Sequence, residues 1–122
     1  MGNELSVSDR LVKAASSGNI SSVTQILAEG ADPDSRNYRG WTALMSAAYE
    51  GQKEVVLFLL ERGANPYLLN EGRTALEWAT LRCNNAAYSD IVTALTNNPA
   101  GFKVNEVYSF IRISILINIF VL

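Results

Sequence analysis

Apolar positions along the chain fall into short helical stripes separated by glycine-centred breaks. Leu11, Ala14 and Ala15 share one side of a predicted helix Arg10–Ser16, with Asp9 as its N-cap. Gly18-Asn19 breaks it, and Val23, Ile26 and Leu27 mark a second helix over Ser21–Glu29. Gly30 then stands where a helix end needs a left-handed residue. Thr42 is the predicted N-cap of a helix rich in small residues, Ala43–Tyr49, which Gly51 ends. The next helix, Lys53–Glu61, carries Val55, Val56, Phe58, Leu59 and Leu60. A helix apolar on more than one stripe expects neighbours on both sides. Thr74 to Glu77 reads as a capping box opening a helix that Trp78, Ala79 and Leu81 continue. Cys83-Asn84-Asn85-Ala86-Ala87-Tyr88 reads as a long connection, after which Ser89 or Asp90 caps a helix holding Ile91, Val92 and Leu95. Asn97-Asn98-Pro99-Ala100-Gly101 stops it by turn chemistry.

These units repeat. Gly30-Ala31-Asp32-Pro33 returns 33 residues later as Gly63-Ala64-Asn65-Pro66, and Ile26-Leu27 as Leu59-Leu60. Ala14 recurs as Ala47 and Gly18 as Gly51. Gly40-Trp41-Thr42-Ala43-Leu44 recurs as Gly72-Arg73-Thr74-Ala75-Leu76, with the offset now 32. Self-similarity at this period is the mark of stacked repeats, which offer surfaces for binding rather than pockets for chemistry.

The pattern resembles the ankyrin repeat family, whose unit is a β-turn plus two antiparallel helices with a T-P-L-H-x-A opening. That opening reads here as Thr42-Ala43-Leu44-Met45-Ser46-Ala47 and Thr74-Ala75-Leu76-Glu77-Trp78-Ala79, without the Pro and His. The resemblance implies an all-α, ankyrin-type solenoid of about three helix-turn-helix repeats with β-turn tips. The expected organisation is a lead over 1–8 and repeats over 9–36, 37–68 and 69–97. A linker over 98–104 and a hydrophobic segment over 105–122 complete it.

The segment from Val107 to Leu122 holds one charge, and isoleucine occupies every second position from 111 to 119. Glu106-Val107-Tyr108-Ser109-Phe110-Ile111 also resembles Glu54-Val55-Val56-Leu57-Phe58-Leu59. A helix capping the third repeat is the favoured reading, because it covers Ile91, Val92 and Leu95. A membrane-contacting tail, a dimer contact and a tail unstructured in isolation are the alternatives. The stretch is shorter than the roughly 20 apolar residues of a spanning helix.

Composition narrows the chemistry. Hydrophobic content of 48% with 18% charge belongs to a folded chain, and a net charge of −2 with no basic run argues against nucleic acid. The single cysteine, Cys83, excludes an internal disulfide and a cysteine-rich zinc site. With no histidine the commonest general base is missing, and Cys83 has no imidazole to activate it. The glycines follow the repeat instead of clustering in a phosphate loop, and no calcium-binding spacing surrounds Asp32 and Asp34. Asp32 is expected to accept backbone N–H bonds within its turn. No catalysis, cofactor, metal or small-molecule ligand is expected. The start, Met1 to Ser6, lacks the features of a secretory signal and fits the loose N-myristoylation pattern at Gly2. One acyl chain alone anchors only marginally. A cytoplasmic or nuclear protein is the expectation, with membrane association of the tail as the alternative.

The expected partner is another protein. In ankyrin-like stacks the turn tips and first helices line one concave face, which places Tyr38, Arg39 and Trp41, then Asn70, Glu71 and Arg73, at the tips. Ser16 and Ser17, Tyr49 and Glu50, and Leu81 and Arg82 stand at the first-helix ends. Tyr38, Arg39, Trp41 and Tyr49 are the expected anchor, because Trp, Tyr and Arg dominate interface energetics. The alternative for Trp41 and Tyr49 is packing within the stack, and Trp78 is assigned mainly to packing. Arg36, Arg39, Arg73 and Arg82 slightly outnumber Asp34, Glu50 and Glu71, which favours an acidic partner.

Overall fold

A computed structural model of the chain describes residues 5–82 and 86–97. Six helices are present among them: α1 (Val7–Ser16), α2 (Ile20–Ala28), α3 (Ala43–Glu50), α4 (Lys53–Glu61), α5 (Ala75–Thr80) and α6 (Ala86–Asn97). They pair as α1–α2, α3–α4 and α5–α6. The first helices α1, α3 and α5 stack as one layer, and α2, α4 and α6 as the other. The all-helical solenoid expected from the repeats is the fold observed.

Local chemistry sets the helix starts. The Thr42 hydroxyl accepts from the Met45 N–H at 3.2 Å, and Thr74 and Glu77 close the expected capping box. At the first helix the start is earlier than expected. Ser6, not Asp9, is the N-cap, its hydroxyl accepting from the Asp9 N–H at 3.1 Å. Asp9 stands one turn inside, where its carboxylate faces the positive end of the helix. The sixth helix also starts earlier than expected, at Ala86, so Ala86, Ala87 and Tyr88 are helical and neither Ser89 nor Asp90 opens it. Leu81 closes α5 and is exposed. Cys83, Gly2, the linker over 98–104 and the hydrophobic segment over 105–122 lie outside the described residues.

The two turn tips differ by one residue, which accounts for the change of offset from 33 to 32. In the second repeat Asn37 N–H donates to the Trp41 carbonyl, so Tyr38, Arg39 and Gly40 form the loop. Gly40 takes a φ of +82° there. In the third, Asn70 and Arg73 exchange both backbone bonds across Glu71 and Gly72 alone. Both central residues then need positive φ, as in a type I′ turn, and Glu71 adopts +52°. Neighbouring tips are bonded together. Asp34 accepts from the Asn65 N–H at 2.7 Å, and Arg36 Nη1 donates to the Gly40 and Leu69 carbonyls, each at 2.8 Å. Asp32 accepts from the Asp34 N–H within its own turn.

A continuous core runs through the stack. Leu11, Val23, Leu44, Met45, Val55, Val56, Leu59, Leu60 and Ile91 are all almost fully buried. Six consecutive residues of α3, Ala43 to Ala48, are buried, because α1 flanks it on one side and α5 on the other. Of the three residues expected to need a cap, Ile91 and Leu95 are buried in the core and only Val92 is half-buried. The second and third repeats are also joined by Tyr88, whose hydroxyl donates to the Tyr49 carbonyl at 2.6 Å. Its ring lies where Gly51 ends α3 in a left-handed conformation, φ +76°. A Cβ at Gly51 would stand 3.3 Å from that ring.

Two measurements check this core. Leu59→Ala or Leu60→Ala should cost about 2–5 kcal/mol, so the cooperative helical melt should be lost or moved far down. Tyr88→Phe should cost about 0.5–1.5 kcal/mol in urea unfolding while leaving the helical spectrum intact.

Candidate functional site

A groove of about 550 Å³ lies between α1, the second tip and α3. Asp9, Val12, Lys13 and Ser16 line it from α1, with Leu5 before the helix. Asn37, Tyr38, Arg39 and Trp41 come from the tip, and Ser46, Tyr49 and Glu50 from α3. Periodicity explains the α1 set: positions 9, 12, 13 and 16 follow i, i+3, i+4 and i+7 and so share one helix face. Val12 forms a buried floor, whereas Tyr38 is 80% exposed at the rim.

Tip and helix are bonded to each other here. The Asn37 side chain accepts from the Arg39 and Trp41 N–H groups, closing the loop from within. The Tyr38 N–H donates to Asp9 Oδ1 at 3.2 Å, joining the second tip to the first helix. Asp9 Oδ2 accepts from the Ser6 hydroxyl at 2.8 Å. That side-chain bond first, and the backbone bonds from Tyr38 and Ser6 after it, hold the Asp9 carboxyl below its ordinary value, while burial opposes them.

The expected aromatic anchor divides into two parts. Trp41 and Tyr49 are half-buried and pack together, ring centroids 5.6 Å apart. Trp78 of the third repeat joins them, 4.5 Å from Trp41 and edge-on to Tyr49 at 5.9 Å. Such tilted contacts add roughly 0.5–1.5 kcal/mol beyond the area buried. Trp78 is buried, and no hydrogen-bond partner for its Nε1 exists among the described residues. Tyr38 stands apart from this cluster with Arg39 stacked on it, guanidinium to ring centre 5.5 Å.

The remaining predicted residues lie along the third repeat. Arg73 covers the Trp78 ring at 5.1 Å, and Arg82 covers Tyr49 at 4.9 Å while pairing with Glu50 at 3.3 Å. Glu71 is exposed at the third tip, Leu81 is exposed at the end of α5, and Asn70 is half-buried against Gly40. Sequence reasoning missed the α1 wall of Leu5, Asp9, Val12 and Lys13, naming only Ser16 and Ser17 there. Ser16 lines the groove, and Ser17 lines a second depression around the corner of α1. The i, i+3, i+4 spacing of polar residues on α1 was the available signal. Among the described residues, no group of three or more His, Cys, Asp or Glu could hold a metal ion.

A family profile described as ankyrin repeats, in three copies, matches residues 11–107. The chain belongs to the ankyrin repeat family. Ankyrin repeats are protein–protein interaction modules and are generally non-catalytic. Among relatives, the mitochondrial disaggregase of Bos taurus is 47% identical over 58 residues, covering 48% of this chain and 9% of that protein. The NAD-capped RNA hydrolase NUDT12 of Homo sapiens is 35% identical over 96 residues, 77% of this chain and 21% of that protein. The ankyrin repeat, SAM and basic leucine zipper domain-containing protein 1 of Ovis aries is 44% identical over 64 residues, 52% and 14% respectively. This ankyrin chain therefore spans about a fifth or less of the length of these relatives. Their names state dissimilar roles, so the likeness carries the repeats and no shared activity.

The Asp9 contacts give a pH dependence. A carboxyl depressed in the folded state adds stability above its unfolded value, about 3.9, and that stability is lost as pH falls through the folded value. Thermal melts of the chain and of Asp9→Asn should differ at neutral pH and converge as the pH drops below about 4.

Proposed function

We propose that this chain is a non-catalytic adaptor or scaffold module, or an inhibitor, that holds a partner protein on its concave turn-tip and first-helix face. The observation that carries this reading is the groove walled by Tyr38, Arg39, Trp41 and Tyr49 over the buried Val12. Rigid aromatic area beside an Arg is what interface energetics favour, since planar rings cover much surface at low rotamer cost. Half-burial of Trp41 and Tyr49 leaves part of each ring available while the stack holds the rest in place. Arg73, Glu71, Asn70, Leu81 and Arg82 extend the same face to the third repeat.

An acidic partner rests on fewer cations than the sequence alone indicates. Arg36 bonds neighbouring tips and Arg82 pairs with Glu50, which leaves Arg39 and Arg73 for a ligand. Among the described residues, no helix is long and apolar enough to cross a bilayer, and the segment over 105–122 and Gly2, which a membrane-anchored reading would use, lie outside them.

Because Trp41 and Tyr49 also hold the stack together, the informative variant leaves them in place. A capture experiment should compare the full chain with Tyr38→Ala/Arg39→Glu, with circular dichroism showing equal helicity. Selective loss of partners from the variant is the expected result. An identical partner set would move binding away from this groove.

A further inference from the structure

The groove adjoins a second depression of about 280 Å³ beside α1 and α2 of the first repeat, and Leu5 and Lys13 line both. Arg10, Lys13, Ser17, Asn19, Ser22 and Gln25 supply the polar lining of that second depression, which has no carboxylate. Across the two, the charged residues are Asp9, Arg10, Lys13, Arg39 and Glu50. Their contacts make the balance uneven. Glu50 is neutralised by Arg82. Asp9 is engaged by the Ser6 hydroxyl and the Tyr38 N–H. Arg10, Lys13 and Arg39 are exposed, and none has a carboxylate within ion-pair distance among the described residues. Asp9 keeps its charge, so three cations stand against one carboxylate, and a chain of net charge −2 carries a local positive surplus along this strip.

We infer that this strip, from the second tip across α1 to the depression beside α2, receives an extended peptide segment in which acidic and apolar side chains alternate. The inference rests on the concave face being the binding face and specifies what binds there. Apolar side chains lie against Val12, Trp41 and Tyr49, and carboxylates meet Arg39, Lys13 and Arg10 in turn. An extended backbone suits this division, because successive side chains point to opposite sides. Complementary charge raises the encounter rate and fixes register, while the apolar contacts supply affinity. A nucleic acid fits less well. Its many phosphates would extend beyond three cations onto the rest of a chain of net charge −2, with charges interacting over about 8 Å at physiological salt.

Fluorescence anisotropy on the full chain tests this with labelled short peptides alternating Glu and Leu. Counterparts have Lys or Ser in place of Glu, and labelled oligothymidine is the nucleic-acid probe. The Glu peptide should bind best and weaken as salt rises from low to physiological levels. Lys13→Glu/Arg39→Glu should cost it at least tenfold and improve the Lys peptide, with the helical spectrum unchanged. Equal binding of the Ser peptide, weakened by Tyr38→Ala, would overturn the acidic preference and leave the groove as the binding face. Tighter binding of oligothymidine would overturn the peptide. Absence of binding by every peptide would overturn the inference, while partner capture through Tyr38 and Arg39 would still judge the concave face by itself.

Discussion

The groove and the aromatic cluster beside it depend on how closely α3 can lie between α1 and α5. Ala43, Ala47 and Ala48 are fully buried, and their small side chains let helices approach from both sides. The approach sets the width of the groove and brings Trp41, Tyr49 and Trp78 within ring contact. A larger side chain at any of these alanines would have to push whole helices apart, since cores are close-packed and yield little. The shape of the groove and the stability of the stack therefore rest on the same three methyl groups.

Hydrogen bonds between repeats fix how the units are placed, and their positions matter more than their number. Gln52 Nε2 donates to the Ser16 carbonyl, Tyr38 N–H to Asp9, Asn65 N–H to Asp34 and Arg36 to Leu69. Each joins one repeat to another, so the tips move with the helices beneath them. The exposed ion pairs Lys53–Asp90 and Arg82–Glu50 add little by comparison, about 0–1 kcal/mol each. Rigidity of the face comes from satisfied backbone groups.

Much of the fold was legible because repetition reports the same local chemistry twice. Thr42 and the Thr74–Glu77 box marked helix starts, and Gly51 marked an end, all by rules that act over a few residues. The starts of α1 and α6 were misread for a related reason. Ser6 and Asp9 are both competent caps three residues apart, and sequence alone gives no reason to choose the earlier one. Ala86-Ala87-Tyr88 looked like connection because no glycine preceded it, whereas the Tyr88 bond to the Tyr49 carbonyl spans 39 residues. The aromatic residues of the site were visible by type. That Trp78 completes their cluster, and that Lys13 faces Tyr38 across a groove, follows from stacking, which no local pattern encodes.

The chain has two tryptophans, one in the second repeat and one in the third, and they touch. Residues 1–36 contain no aromatic side chain at all. Tryptophan emission therefore looks at one junction, and the first repeat carries no aromatic chromophore of its own. Fraying of α2, which packs on α1 and α4 rather than beside either tryptophan, would pass unseen by that probe while far-ultraviolet ellipticity declined. Non-coincident transitions in this molecule would locate the loosened end of the stack.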